Sequence, residues 1–247
     1  MKSSTYEKSS VLAEYLAFHY HEPSQLLPKG VTPPRGVRNF PYTCAHLLLS
    51  KAKGSHSRAL DLGCAVGRST FELARRCTEV VGIDYSRSFI HSANQLKKRG
   101  HLKFQLCEEG NRTTPSLAKV DARIERNNVH FQFGDALHLP RNLGTFDLVL
   151  AANLIDRLPN PTFFASKVAP GLIRPNGFLL LTSPYTWSKE YTPESKWWRN
   201  SFSTLKKLLQ PNFRLIHRQD LPFLLREHRR KFQYTFADAT LWRRSVN

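Results

Sequence analysis

From residue 57 onward the chain alternates short apolar runs with stretches of helical spacing. That alternation limits its fold more than any other feature. The runs at 58–62, 79–83, 129–133, 146–151 and 178–182 read as strands, and 69–77, 86–99 and 161–168 read as helices. Asp147-Leu148-Val149-Leu150-Ala151-Ala152 is apolar almost throughout, the pattern of a strand buried on both faces of a parallel sheet. Strand and helix in alternation predict an α/β layered fold. A chain of 247 residues suits one such domain with a cap.

The flanking regions read differently. Residues 1–56 are predicted to form an N-terminal helical cap and 57–247 the α/β core. Ser4 and Glu7 have capping-box spacing, and Val11, Leu12, Tyr15, Leu16 and Phe18 have helical spacing. Pro23, Pro28, Pro33 and Pro34 then predict an irregular connection, followed by a helix over 43–51. Residues 101–128 interrupt the rhythm and read as a surface insertion. The C-terminal part is expected to add a helix over 201–209 and short strands over 213–217 and 240–244.

Bulk properties exclude several classes. No apolar run approaches the ~20 residues of a membrane-spanning helix, and no secretory signal pattern opens the chain. Cys44, Cys64, Cys77 and Cys107 are scattered, which argues against a disulfide framework or a zinc site and for reduced thiols in a cytoplasmic protein. No metal is expected. The net charge of +18 would suit a polyanion, but the basic residues are dispersed and form no long tail.

The sharpest local signal is Ala59-Leu60-Asp61-Leu62-Gly63-Cys64-Ala65-Val66-Gly67, a strand running into a glycine loop and a helix. Small residues let backbone approach a ligand closely. The dinucleotide pattern Gly-x-Gly-x-x-Gly fails at Ala65 and Arg68, and no phosphate-binding Gly-Lys-Ser/Thr ending is present. Asp61 before the first glycine would repel a pyrophosphate and suit an ammonium, such as that of S-adenosylmethionine. Asp84 ends the next strand and is placed to accept ribose hydroxyls. Asp135 follows the third strand, placed for an adenine amino group with Ala136 as an amide donor. Gly63, Cys64 and Gly67 of the loop, and Tyr85 beside Asp84, complete the expected cofactor contacts. Each feature alone also fits an ordinary turn; three acidic residues at successive strand ends do not.

These residues resemble motifs of class I methyltransferases, with Ala65 where many members carry a glycine. The resemblance implies a Rossmann-like, mostly parallel seven-stranded sheet flanked by helices, with S-adenosylmethionine as cofactor. A narrower resemblance covers almost the whole chain. Ala151-Ala152-Asn153-Leu154-Ile155-Asp156-Arg157-Leu158-Pro159, Leu181-Thr182-Ser183-Pro184-Tyr185-Thr186-Trp187, Pro222-Phe223-Leu224-Leu225-Arg226-Glu227-His228 and Arg230-Lys231-Phe232-Gln233 look like the methyltransferase module of ovothiol biosynthesis. It implies methylation of an imidazole nitrogen of 5-thiohistidine (4-mercaptohistidine), giving ovothiol A. That module is often fused to an iron-dependent 5-histidylcysteine sulfoxide synthase, whose His-x-x-x-His-x-x-Glu motif is not in this sequence, so the implied chain is a free-standing or excised module with such a synthase as partner.

The implied reaction assigns roles. Asn153 would contact cofactor or substrate, Asp156 would fix the imidazole tautomer or act as general base, and Tyr185 would flank the ring. Arg226 would take the substrate carboxylate, His228 the thiolate or ring, and Tyr20, with Phe18 and His19, would close over the cofactor. The alternatives are helix capping for Asn153 and Asp156, a core aromatic for Tyr185 and a solvated basic face for Arg226 and His228. Two other functions stay open: an RNA methyltransferase, suggested by the charge although nucleic acid is disfavoured as a partner, and a non-catalytic cofactor-binding scaffold.

Overall fold

The computed structural model describes residues 5–52 and 56–246. Its main sheet has seven strands in the order β5-β2-β1-β6-β7-β9-β8. These are β1 (His56–Leu62), β2 (Cys77–Asp84), β5 (Val129–Phe133), β6 (Phe146–Ala152), β7 (Ile173–Ser183), β8 (Phe213–His228) and β9 (Lys231–Arg244). The pairs β1–β2, β1–β6, β2–β5 and β6–β7 are parallel, whereas β9 runs antiparallel to β7 and β8. This is the fold expected of a class I methyltransferase. The chain moves outward from β1 to β2 and β5, then returns to β6 on the other side of β1. Such a reversal opens a crevice at the carboxyl ends of the strands.

The apolar runs divide by residue parity. Leu148 and Leu150 join the core cluster under α3 (Phe40–Lys51), α4 (Arg68–Leu73) and α5 (Arg87–Arg99), whereas Val149 and Ala151 join the cluster on the opposite face. Side chains that alternate across a doubly covered sheet must all be apolar. The second face is covered by α6 (Pro161–Phe163), a π turn over Phe164–Val168, α7 (Ala169–Leu172) and α8 (Ser201–Leu209). Helix α5 shows why such segments are helical. Ser86 Oγ accepts the Phe89 amide at 3.2 Å, Phe89, Ile90, Ala93 and Leu96 make a buried stripe, and Lys97, Lys98 and Arg99 precede a left-handed Gly100.

Several sequence expectations change. Ser4 lies outside the described residues, and Glu7 accepts the Arg87 and Ser88 amides of α5 at 2.9 and 3.3 Å instead of capping its own helix. Helix α1 covers Ser9–Tyr20, and Pro23 opens a short α2 (Pro23–Leu26), whose N-terminus carries a Glu22–Gln25 capping box. Helix α3 is part of the sheet layer: Cys44, Ala45 and Leu48 are fully buried beside Leu148 and Leu150. Cys77 begins β2, so α4 is shorter than expected. The expected insertion begins with a separate two-stranded hairpin over residues 101–119, β3 (His101–Glu109) with β4 (Arg112–Lys119). Leu106, Ala118, Val120 and Ile124 are buried.

The largest change is at the C-terminus. The expected short strands are two ends of one long hairpin, paired from Phe213↔Arg244 to His228↔Lys231. Strand β9 pairs with β7 only as far as Ser183↔Asp238, so the remainder projects past the sheet's carboxyl edge. There Phe223 packs on Phe40 and Phe18 at ring distances of 4.8 and 5.7 Å, holding α1 and α3 together. Pro222 is tolerated because β8 is an edge strand. Among the described residues no helix is long and apolar enough to cross a membrane.

Candidate functional site

A cavity of about 380 Å³ opens at the carboxyl ends of β1, β2, β5 and β6. Its floor is the loop after β1. The Gly63 and Cys64 amides both donate to Ile83 O, at 2.8 and 3.1 Å, which ties the loop to β2. Gly63, Ala65 and Gly67 all have positive φ, at 72°, 46° and 86°. At Gly67 a Cβ would fall 2.5 Å from the Phe131 ring, so strain and space both demand glycine. Ala65 carries the left-handed conformation at a cost of about 1 kcal/mol.

Asp84 lies between the loop and α5. Its Oδ2 accepts the Ala65 amide and its Oδ1 the Ser86 amide, both at 2.8 Å. The Tyr85 amide also favours the ionised form, and a carboxylate has about four lone-pair positions, so one remains for a ligand hydroxyl. Burial raises its pKa to about 6, against the pull of those amides. Asp135 accepts the Leu137 amide at 2.8 Å and meets His138 Nδ1 at 2.9 Å. Gly63, Asp84, Tyr85, Asp135, Ala136 and Asn153 all line the cavity. Asn153 has φ 50°; its Oδ1 accepts the Thr182 hydroxyl at 2.9 Å and its amide donates to Thr182 O at 2.9 Å. Its Nδ2 keeps its donors.

Other expected site residues lie elsewhere. Asp61 is buried behind the loop, where it accepts the Ser69 and Thr70 hydroxyls at 2.6 and 2.7 Å, so it braces α4 and does not line the cavity. Burial lifts its pKa to about 6. The Cys64 thiol and Gly67 also stay off the cavity wall; Gly67 is the N-cap position of α4. Asp156 is fully buried outside the cavity and occupied by Ser183 Oγ at 3.0 Å, the Thr186 amide at 3.0 Å and Arg157 at 3.1 Å. Burial raises its pKa, with Arg157 opposing. Tyr185 points away and donates to Asp238 at 3.1 Å. The Tyr20 hydroxyl donates to Val66 O at 2.8 Å, so Tyr20 latches α1 to the glycine loop from outside the cavity.

Arg226 and His228 sit on the projecting hairpin, away from the cavity. Arg226 is buried against Glu108 at 2.7 Å and also donates to Cys107 O and Leu26 O. His228 Nδ1 accepts the Arg230 amide at the hairpin turn.

The structure supplies a roof that local sequence patterns did not reveal. Tyr6, Glu7, Tyr15, Phe18 and His19 from the N-terminus meet Arg157, Glu190 and Tyr191 over the floor. Tyr6 O accepts the Ser86 and Ser88 hydroxyls at 3.1 Å, and Thr5 Oγ1 donates to Glu190 at 2.8 Å. Burial and the nearby Arg68 lower the pKa of His19 to about 3, so its ring is neutral. Arg157 was adjacent to a residue singled out from sequence; nothing in its spacing marks it as the one that faces the cavity.

Comparison with known proteins agrees with this geometry. The family model of a methyltransferase domain matches residues 60–179. A ubiquinone biosynthesis O-methyltransferase of Coxiella burnetii is 26% identical over 131 residues, which are 53% of this chain and 44% of that protein. The match therefore spans less than half the curated relative's length. The N-methyltransferase NodS from Bradyrhizobium japonicum, solved with S-adenosyl-L-homocysteine, superposes with a TM-score of 0.57 at 16% identity, covering 96% of this chain and 99% of NodS. The [4+2]-cyclase SpnF gives 0.62 at 14% identity, covering 99% and 96%. At these identities the likeness is one of fold, and fold alone does not set chemistry.

Residues 60–179 match the model of a methyltransferase domain, and the fold and the loop agree with the S-adenosylmethionine-dependent class. The residues present fit that cofactor: Asp84 has a lone-pair position left for a ribose hydroxyl, Asp135 and Ala136 line the same cavity, and the acidic lining suits a cationic ligand.

Proposed function

We propose that this chain transfers a methyl group from S-adenosylmethionine to an imidazole nitrogen of 5-thiohistidine. The products are ovothiol A, S-adenosylhomocysteine and one proton lost from the substrate. The observation that carries the reading is the roofed cavity of about 380 Å³, which is small-molecule size and closed over by side chains. The whole-chain resemblance supports thiohistidine within that class, with a 5-histidylcysteine sulfoxide synthase as partner or fusion half. Four free cysteines accord with a cytoplasmic setting. The charge of +18 favours RNA as a second reading, but among the described residues Arg157 is the sole Arg or Lys lining the cavity, and phosphate contacts need more.

The bound cofactor supplies a methyl group already activated by its sulfonium, so the chain's main task is alignment. Asp84 holds the ribose, and Asp135 with Ala136 holds the adenine. Asn153, fixed by Thr182, orients ligands with its free amide. The neutral His19 ring adds no positive charge beside a cationic cofactor. Tyr6, Tyr15 and Tyr191 exclude water. Asp156 acts as a positioning residue, since it holds Arg157 and the Thr186 backbone.

The test is mass spectrometry on purified protein with S-adenosylmethionine and 5-thiohistidine, with histidine and ergothioneine as controls. One methyl gained on 5-thiohistidine, strongly reduced in Asp84→Asn, is the expected result, and fragmentation separates nitrogen from sulfur methylation. No gain while S-adenosylhomocysteine still binds by calorimetry would overturn the thiohistidine assignment.

A further inference from the structure

The roof carries a group of donors that methyl transfer itself leaves unused. Arg157 NH1 donates to Thr186 O at 2.7 Å, to Asp156 O at 3.2 Å and to Asp156 Oδ2 at 3.1 Å. All three bonds leave from one terminal nitrogen, which anchors the guanidinium; the Tyr6 hydroxyl also hydrogen-bonds it, and the five-donor fork still has N–H groups to spare. The Tyr191 ring lies 5.1 Å from the guanidinium carbon, and the Tyr6 ring lies 5.7 Å from that of Tyr191. The Tyr6 hydroxyl reaches both the guanidinium and Tyr191. Burial pushes the Tyr6 hydroxyl far above the usual tyrosine range, with neighbouring Tyr15 adding to the rise, so it stays protonated, with one hydrogen that a ligand would take over from Tyr15 or Tyr191.

The surroundings make this donor group selective. Among the described residues the cavity lining otherwise offers four carboxylates: Glu7 accepts the amides of α5, Asp84 those of Ala65 and Ser86, Asp135 that of Leu137, and Glu190 the Thr5 hydroxyl. Among the described lining residues, Arg157 alone offers an anionic group a positive charge. A guanidinium held rigidly at one nitrogen loses little freedom when it binds a carboxylate through the others.

We propose that Arg157, together with the Tyr6 hydroxyl, receives the α-carboxylate of an amino-acid substrate and so orients its side-chain ring toward the cofactor. This replaces Arg226, whose guanidinium is consumed by Glu108, and it rests on the thiohistidine reading for the amino-acid class of the substrate. The cofactor's own carboxylate is the rival ligand.

The experiment is calorimetry on the protein saturated with S-adenosylhomocysteine, titrated with 5-thiohistidine and with its decarboxylated amine, 5-thiohistamine. The wild type should prefer the amino acid by roughly 30-fold, the scale of a charge-assisted hydrogen bond. Arg157→Met should abolish that preference and leave S-adenosylhomocysteine affinity unchanged, and Tyr6→Phe should reduce the preference without leaving Asp156 unpaired. Equal wild-type affinity for the two compounds would overturn the proposal without any variant. So would Arg157→Met weakening S-adenosylhomocysteine as much as 5-thiohistidine, which would assign Arg157 to the cofactor. If the wild type neither binds nor methylates 5-thiohistidine, the thiohistidine reading fails by itself. The Arg157 site is then decided by imidazole-4-acetate against 4-methylimidazole on the same protein, where no preference for the carboxylate refutes it.

Discussion

The floor and the roof of the cavity are built by different means. The floor is mostly backbone and strand-end carboxylate: Gly63, Ala65, Asp84, Gly134 and Asp135 each lie within a few residues of a parallel strand's end. The roof is side chain, with Tyr6, Tyr15, Arg157 and Tyr191 drawn from three separate segments and held by ring contacts and a few hydrogen bonds. A floor of this kind is set by local conformation. A roof of this kind exists only once distant segments have packed, and it can vary without disturbing the cofactor.

Substitutions can break or sharpen that contrast. The largest expected effect lies outside both regions. Arg226→Met leaves Glu108 buried without its partner and should cost about 3–5 kcal/mol in urea unfolding, with cofactor affinity of the folded protein unchanged. A matching fall in affinity would mean that the hairpin belongs to the cavity after all. Next, Gly67→Ala puts a methyl 2.5 Å from the Phe131 ring at φ 86° and should cost about 3 kcal/mol by the same measurement. A stable Gly67→Ala protein would show that the floor does not depend on this backbone turn.

Asp84→Asn should weaken S-adenosylhomocysteine binding by roughly 10- to 30-fold in calorimetry, because charged hydrogen bonds are lost. The pH dependence has a definite sign. Burial holds the Asp84 pKa at about 6, so the apo chain keeps that proton below pH 6, whereas ribose hydroxyls favour the ionised form. Affinity is therefore lost as pH falls through about 6, and the Asn variant should show a flat profile. For stability the direction reverses: the contribution of a raised carboxyl is full below 3.8 and lost as pH rises through about 6. The smallest effect is expected at the latch between the regions. Tyr20→Phe removes the donor to the buried Val66 carbonyl and should lower stability by about 1–2 kcal/mol, read as a fall in Tm, with only a modest loss of cofactor affinity.

The floor was largely legible in the sequence. Gly63, Asp84, Tyr85, Asp135, Ala136 and Asn153 were assigned to the cofactor from strand ends and a glycine loop, and all line the cavity. Asp61 and Asp156 were assigned to ligands by the same logic and face away. A sequence shows that a carboxylate stands at a strand end, but not which hydroxyls or amides will reach it from the other side. Arg226 was misread for a similar reason. Its cation was visible, whereas its partner Glu108 lay in a segment read as a surface insertion.

What the sequence by itself determined is the α/β order, the strands buried on both faces and the glycine loop, because periodicity and small residues act over a few neighbours. The tertiary structure alone decided which charges face the cavity. It also decided that a hairpin of Phe213–His228 and Lys231–Arg244 clamps the N-terminal helices, and that Tyr6, Arg157 and Tyr191 meet. Those outcomes depend on contacts between segments far apart in the chain, where burial and desolvation, not local propensity, select the partner.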